Sequence, residues 1–283
     1  MNIDDAYAHC RAIAHKHGAN FSVGFRFLPR VKRRAVYAAY AYCRVADDIA
    51  DEGVSEDRGA ELDAWQHELD LAYAQKPTQH PVSIALADAL THFAIPKSAF
   101  LALIEGCRQD MVKTRYETID ELLHYCELVA TSISDISLAI FGYRTPKAID
   151  HGRSLSTALQ LTNVTRDIGD DTTRNRVYVP AEDLRRFGVD ERELFARAEN
   201  DRVKRLVEFQ IDRAERYFRD AEPLLGELAF DARFPTLLMG GVYATVLAKL
   251  REDPLRAVRE RVRLSTTEKM LVIGSRVLRP HFV

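Results

Sequence analysis

Two short runs of this chain concentrate carboxylates at helical spacing. The first reads Tyr40-Ala-Tyr42-Cys43-Arg44-Val-Ala-Asp47-Asp48-Ile-Ala-Asp51-Glu52. In a helix Asp47 and Asp51 stand four residues apart and Asp48 and Asp51 three, so the three acids share one face. Tyr40 and Arg44 extend that stripe toward the N-terminus. The second run reads Gln160-Leu-Thr-Asn163-Val-Thr-Arg166-Asp167-Ile-Gly-Asp170-Asp171. Asn163, Asp167 and Asp171 fall at i, i+4 and i+8, again one line down one face. Residues four apart are about 6 Å apart along a helix, and at an effective dielectric of about 20 two carboxylates at that distance repel by about 3 kcal/mol. Water and salt would reduce that repulsion; a cleft would demand a cation. Oxygen ligands so spaced suit Mg2+, which takes one or two carboxylates and fills its octahedron with waters and substrate phosphates. Two such stripes facing each other could hold a small Mg2+ cluster with a diphosphate between them. A lone DDxxD is more often a solvated acidic face. Here Val45, Ala46, Ile49 and Ala50 leave the first run apolar apart from its acids, and the second carries a carboxamide in register with its acids.

The elements that must position these stripes are helices. Asp4 or Asp5 can cap a first helix reaching about His17, and Gly18 and Gly24 bracket an aromatic segment, 19–27. Pro29 suits a helix start; the stretch 31–51 then contains no Pro or Gly, and Gly53 is a stop signal. Further helices fit 56–75 and the segments after Pro81 and Pro96. Thr118-Ile-Asp-Glu121 has capping-box spacing and opens a helix to about Phe141, before Gly142. Thr145-Pro146 opens another, to about Gly169. Pro180 and Gly188 bound a short helix, and 190–197, 201–225, 235–251, 254–263 and 265–277 continue the pattern. Alternating strand patterns between turn dipeptides are absent. The expectation is an all-α chain, residues 1–283 forming a single domain of roughly a dozen helices.

Composition narrows the function. The 283 residues carry 40 basic and 42 acidic side chains, a formal net charge of −2, which gives no electrostatic drive toward nucleic acid. Hydrophobic residues make up 47% of the chain, enough to build a core and too many for disorder. Cys10, Cys43, Cys107 and Cys126 form no CxxC pair and read as reduced thiols of a cytoplasmic protein; Cys43 and Cys126, flanked by aromatics, read as buried and inert. The N-terminus is acidic where an export signal would be basic. The longest uncharged stretch, 234–248, falls short of the roughly 20 residues a bilayer span needs. The nine histidines show no HExxH pattern.

With these residues in view, the chain resembles the squalene/phytoene synthase family of head-to-head prenyltransferases. FLPRVKRRAVYAAYAYCRVADDIADE is similar to the family's first signature and NVTRDIGDDTTRNRVYVP to its second. The likeness runs from Asn20-Phe21 to about Val262 and includes Tyr125-Cys126. NFSVGFRFLP looks closest to the bacterial hopanoid-pathway branch. The resemblance implies the isoprenoid synthase fold, helices around a central cavity, and a 1′–1 condensation of two farnesyl diphosphates through presqualene diphosphate toward squalene or hydroxysqualene. It also implies the site. Asp47, Asp48, Asp51, Asn163, Asp167 and Asp171 would bind Mg2+ and diphosphate, with Asp170 behind them. Arg44 and Arg166 would grip diphosphate oxygens, Tyr40 would stand near the reacting carbons, and Phe21, Phe25, Gln160 and Tyr243 would line the cavity. Tyr37 and Tyr42 read as structural. Arg174 and Arg176 could close over phosphate or lie in a solvated loop.

Ionising an allylic diphosphate builds charge that Mg2+ and arginine stabilise, and the carbocation left behind needs a dry, aromatic surround. Two departures from the family pattern bear on product outcome. The run Val129-Ala-Thr-Ser-Ile-Ser134 stands where relatives often carry glycine. Ser265-Thr-Thr-Glu268-Lys269 replaces a basic stretch found in some relatives, which leaves NADPH use without support. Phytoene synthesis from geranylgeranyl diphosphate is the near alternative, and a non-catalytic assembly factor of the same fold the distant one. A chain-elongating prenyltransferase or terpene cyclase matches the paired signatures poorly. Greasy substrates leave room for peripheral contact with the inner face of a membrane, though no segment marks one, and nothing fixes the oligomeric state.

Overall fold

Helix ends fall where backbone chemistry puts them. In the computed structural model, which describes residues 1–17, 22–52, 57–278 and 281–282, Pro29 immediately precedes the helix Arg30–Glu52, and Pro81 is the first residue of Pro81–His92. Gly142 (φ +74°) and Gly188 (φ +64°) follow the helices ending at Phe141 and Phe187 in the left-handed conformation that only glycine adopts without strain. Thr118 Oγ1 accepts the Glu121 N–H at 3.3 Å, while the Glu121 carboxylate turns to the Glu117 N–H at 3.2 Å, so half of the capping box forms. The first helix, Ile3–His17, is capped by Asn2, whose Oδ1 accepts the Asp5 N–H at 2.8 Å. Asp4 and Asp5 occupy its first turn, where the helix dipole favours them.

Three long helices depart from the sequence expectation. The one expected over 118–141 is Ile119–Cys126, a π-helical turn at Glu127–Thr131, then Ser132–Phe141. The one expected to reach Gly169 stops at Arg166; Asp167 leaves helical geometry (φ −101°, ψ 11°) and Ile168–Thr172 resumes. The helix expected to start at Pro235 starts at Phe230 and holds Pro235 inside it as Phe230–Glu252. A proline in the second turn removes one ladder bond, a modest cost so near the end. The expected stop at Gly53 lies outside the described residues. Among the described residues there is no strand, only isolated bridges pairing Arg115 with Val177 and Tyr143 with Leu228. No helix among them is long and apolar enough to cross a membrane.

The chain forms two compact units. One comprises Met1–Val112, Ser132–Ile149 and Gly226–Thr236; the other comprises Lys113–Thr131, Asp150–Leu225 and Leu237–Val283. In the first, Arg30–Glu52 packs against Ile3–His17, Arg58–Tyr73, Pro81–His92, Lys97–Val112 and Ser132–Phe141. Its buried face is largely alanine (Ala35, Ala38, Ala39, Ala41, Ala46, Ala50), which lets neighbouring helices come close. Tyr42 is fully buried, stacks on Trp65 at 4.8 Å and trades hydrogen bonds with it, Tyr42 Oη to the Trp65 carbonyl and Trp65 Nε1 to the Tyr42 carbonyl. Tyr37 is buried as well.

In the second unit Ala181–Phe187 packs on Asp201–Ala221 around a buried ion pair, Arg213 Nη1 to Asp183 Oδ2 at 2.6 Å, that Gln210 completes at 3.0 Å. The short helix Ile168–Thr172 lies against Arg256–Arg259, and a Cβ on Gly169 would fall 2.1 Å from the Val258 carbonyl oxygen. Only a glycine admits that approach.

Candidate active site

The first stripe lies on an unbroken helix. Asp47 and Asp48 are partly buried and Asp51 is exposed. Arg44 pairs with Asp48 one turn below it, while its Nε is buried without a hydrogen-bond partner among the described residues. Asp47 accepts a hydrogen bond from the Cys107 thiol, Sγ to Oδ1 at 3.4 Å, on the neighbouring helix Lys97–Val112. Burial above all, helped by the nearby charges of Asp51 and Asp110, pushes the Asp47 carboxyl up to about 6 against the pull of Cys107 and Arg44. Tyr40 is partly exposed and within electrostatic reach of Arg44. Phe25 sets its ring edge against Tyr37, 6.3 Å between centroids. Phe21 lies outside the described residues.

The second stripe bends at Asp167, and two hydrogen bonds carry its register through the bend: Asp167 N–H to the Asn163 carbonyl at 2.9 Å and Asp171 N–H to the Asp167 carbonyl at 2.8 Å. Asn163 Nδ2 donates to Gln160 Oε1 at 3.2 Å. Asn163 and Arg166 both hydrogen-bond the buried Tyr243 side chain. Arg166, 6% exposed, grips Asp167 in bidentate fashion, Nε to Oδ1 at 2.7 Å and Nη2 to Oδ2 at 2.5 Å. Arg261 adds a second guanidinium, Nε to Asp167 Oδ1 at 3.0 Å. Asp171 is pushed up to about 7, first by burial and then by the charge of Asp167, against the opposing pull of Arg176, Arg174 and Arg261. Asp170 contributes its carbonyl to Thr173.

Within this unit, therefore, Gln160, Asn163, Arg166, Asp167 and Tyr243 form one hydrogen-bonded cluster, and Asp171 shares its field. An aromatic group follows: Tyr178, just past the stripe, stacks on Tyr116 at 5.6 Å and meets Tyr125 at 5.4 Å.

Sequence reasoning missed Cys107 and Asp110 beside Asp47, and Arg261 beside Asp167. Cys107 and Asp110, three apart on one helix, offered a faint signal. Arg261 stands just ahead of the Ser265–Lys269 run and reads from sequence as one of many surface cations.

In each unit the stripe offers oxygen ligands, and in the first the orphaned Nε of Arg44 lies on the same helix as the acids, a chemistry that fits Mg2+ and a diphosphate. Among the described residues no three His, Cys, Asp or Glu side chains are gathered into a ready cage.

Known proteins resemble this chain over nearly its whole length. A profile of the squalene/phytoene synthase family matches residues 14–268. A 15-cis-phytoene synthase of Synechococcus elongatus is 31% identical over 98% of this chain and 94% of its own length. One from Synechocystis sp. is 33% identical over 96% and 84%. Among solved structures, a dehydrosqualene synthase superimposes with a TM-score of 0.90 at 26% identity, covering 99% of this chain and 98% of that one. The squalene synthase HpnC from Alicyclobacillus acidocaldarius gives 0.83 at 33% identity, covering 88% and 94%. An all-helical prenyltransferase of the isoprenoid synthase fold is the class these features define. The chain belongs to the squalene/phytoene synthase family, whose members condense prenyl diphosphates head to head.

Proposed function

We propose that the protein joins two farnesyl diphosphates 1′–1, through presqualene diphosphate, toward squalene or hydroxysqualene. The observation that carries the metal-dependent chemistry is Asp47: Arg44 pairs with Asp48, and Asp47, buried near Asp51 and Asp110, is left with a pKa raised to about 6. Asp47, Asp48 and Asp51 in the first unit would hold Mg2+, as would Asn163, Asp167 and Asp171 in the second. Bound there, the metal would supply positive charge for a diphosphate leaving group, whose departing oxygen keeps the electrons of the C–O bond. Arg44, through its unpartnered Nε, and Arg166 bind diphosphate oxygens. Tyr40 would stand by the reacting carbons, and Phe25 in the first unit and Gln160 and Tyr243 in the second would contact the prenyl chains.

How the second ionisation ends decides the product: hydride from NADPH gives squalene, water gives hydroxysqualene, and proton loss gives a conjugated polyene. The likeness to HpnC and to the dehydrosqualene synthase supports the C15 substrate. A second reading, geranylgeranyl diphosphate and phytoene, is favoured by the cyanobacterial relatives, which match across nearly the whole chain. The family match over residues 14–268 supports a single catalytic domain, and four free, buried cysteines support a reducing compartment.

Purified protein with Mg2+ and either C15 or C20 diphosphate, with and without NADPH, tests the reading. Diphosphate release with a C30 product supports it; a C40 product from the C20 substrate alone replaces it with the second reading.

A further inference from the structure

One edge of the first unit carries apolar side chains in water. Phe27 is 51% exposed, Val31 51%, Tyr143 43% and Phe230 83%. They come from separate segments that the structure ties together. Phe27 meets Phe234 edge-to-face at 5.0 Å, and Phe234 is one helical turn from Phe230. Lys32, next to Val31, reaches Asp231 and the Phe141 carbonyl, both at 2.7 Å. Tyr143 bridges to Leu228, two residues from Phe230. Single exposed apolar residues are ordinary; an aromatic group gathered from three segments is not.

Cations surround it. Arg26, Arg30 and Arg144 are exposed and have no acidic partner among the described residues, and Arg33 is half-buried with its Nη1 on the Arg26 carbonyl. Of the acids here, Asp231 is already neutralised by Lys32, and Glu227, whose carbonyl accepts the Arg144 N–H, is half-buried. In a chain of formal net charge −2 this is a local positive excess with aromatic rings at its centre.

We propose that this patch seats the protein on a bilayer carrying anionic headgroups, with Phe27, Val31 and Phe230 entering the interface and Arg26, Arg30 and Arg144 lying against the phosphates. Aromatic rings and long basic side chains suit that boundary, where one end of a side chain is apolar and the other wet. Each arginine near an anionic surface raises partitioning by about fivefold. A second copy of the chain fits less well: a two-fold contact through this patch would set its unpaired arginines against their own copies. The reason for such docking rests on the function proposed above, since prenyl diphosphates and their hydrocarbon product partition into membranes. The binding assay uses no substrate, so the two readings fail separately.

Co-sedimentation with phosphatidylcholine vesicles, with and without about 30% phosphatidylglycerol, provides the test. The wild-type protein should sediment with the anionic vesicles only and come off as salt rises to about 0.5 M. Phe27→Ser with Phe230→Ser should weaken partitioning at least tenfold, with turnover of detergent-dispersed substrate unchanged. Arg26→Glu with Arg30→Glu should do the same. Phe230→Ser alone, at a side chain with few packing contacts to lose, keeps the test open should the double variant misfold; it should weaken partitioning several-fold. Equal sedimentation of variants and wild type, equal binding to neutral vesicles, or a change of oligomeric state in place of vesicle binding would each overturn the proposal.

Discussion

On the helix Arg30–Glu52 the guanidinium of Arg44 goes to Asp48, and Asp47 meets a thiol and neighbouring acids. Across the bend at Asp167 the surroundings reverse: that one carboxylate holds Arg166 and Arg261, and Arg174 and Arg176 reach Asp171 electrostatically. Both runs look like the same acidic stripe in sequence. In one, Asp47 lies among acids with Arg44 already taken by Asp48; the other brings its own arginines, and its central acid is a structural anchor as well as a ligand candidate. The same substitution in the two stripes should therefore give the same loss of turnover and different losses of stability.

Chelating Mg2+ should have the largest effect, abolishing diphosphate release altogether, with recovery on adding Mg2+ back. Next come Asp47→Asn and Asp167→Asn, each lowering turnover at least about 100-fold, as removal of a preorganised electrostatic group does. Their thermal unfolding should separate them. Asp167→Asn strands a guanidinium that is 6% exposed; breaking such a pair costs about 3–5 kcal/mol, or on the order of 10 °C in a chain of this length. Asp47→Asn removes a carboxyl whose ionisation burial opposes, so its melt should hold or rise. Equal melting losses would remove the distinction drawn between the stripes.

The distinction also has a pH signature. Both raised carboxyls hold protons more tightly in the folded chain than in the unfolded one. Their contribution to stability without metal is therefore full below about pH 4. It is lost as pH rises through about 6 for Asp47 and about 7 for Asp171. Mg2+ binds the ionised forms, so its affinity should climb over the same window. The gap between the melts with and without Mg2+ should widen from about pH 5 to about pH 8. Asp47→Asn should narrow it; a gap independent of pH would argue that neither acid meets the metal.

Much of this was legible in the residues. Helical spacing identified both stripes, and Pro29, Pro81, Thr118, Gly142 and Gly188 marked helix ends because they act through their own backbone or through neighbours a turn away. What was illegible arises over distance. Nothing near Asp167 announces Arg261, and nothing near Asp47 announces Cys107, sixty positions along the chain. The bend at Asp167 itself comes from such partners: two guanidiniums pull on its side chain, and Gly169 must pack against the Val258 carbonyl. The π turn at Glu127–Thr131 and the proline inside Phe230–Glu252 are likewise settled by packing, which overrides the local preferences a sequence displays.

Gly169→Ala should cost about 1–3 kcal/mol, since the new methyl meets backbone that cannot rotate aside. Because the strain falls on the short helix carrying Asp171, the apparent Mg2+ requirement should rise with it. A stable variant with wild-type Mg2+ dependence would show that the close approach at Val258 serves packing alone.

The smallest effect belongs to Cys107. Its thiol is a weak donor to Asp47, and burial together with the Asp47 charge pushes its pKa up, so it stays protonated and donating. Cys107→Ser keeps a donor, with a stronger but shorter bond in a slot sized for sulfur, and should change kcat/KM only two- to three-fold, about 0.5 kcal/mol. Cys107→Ala removes the donor and frees the carboxylate to turn, which should raise the Mg2+ concentration needed for half-maximal turnover several-fold with little change in melting temperature. Serine restoring what alanine loses would assign the contact to holding Asp47 in place. If both variants lose stability equally and keep the wild-type Mg2+ dependence, Cys107 only fills space, and the first stripe is held by its helix alone.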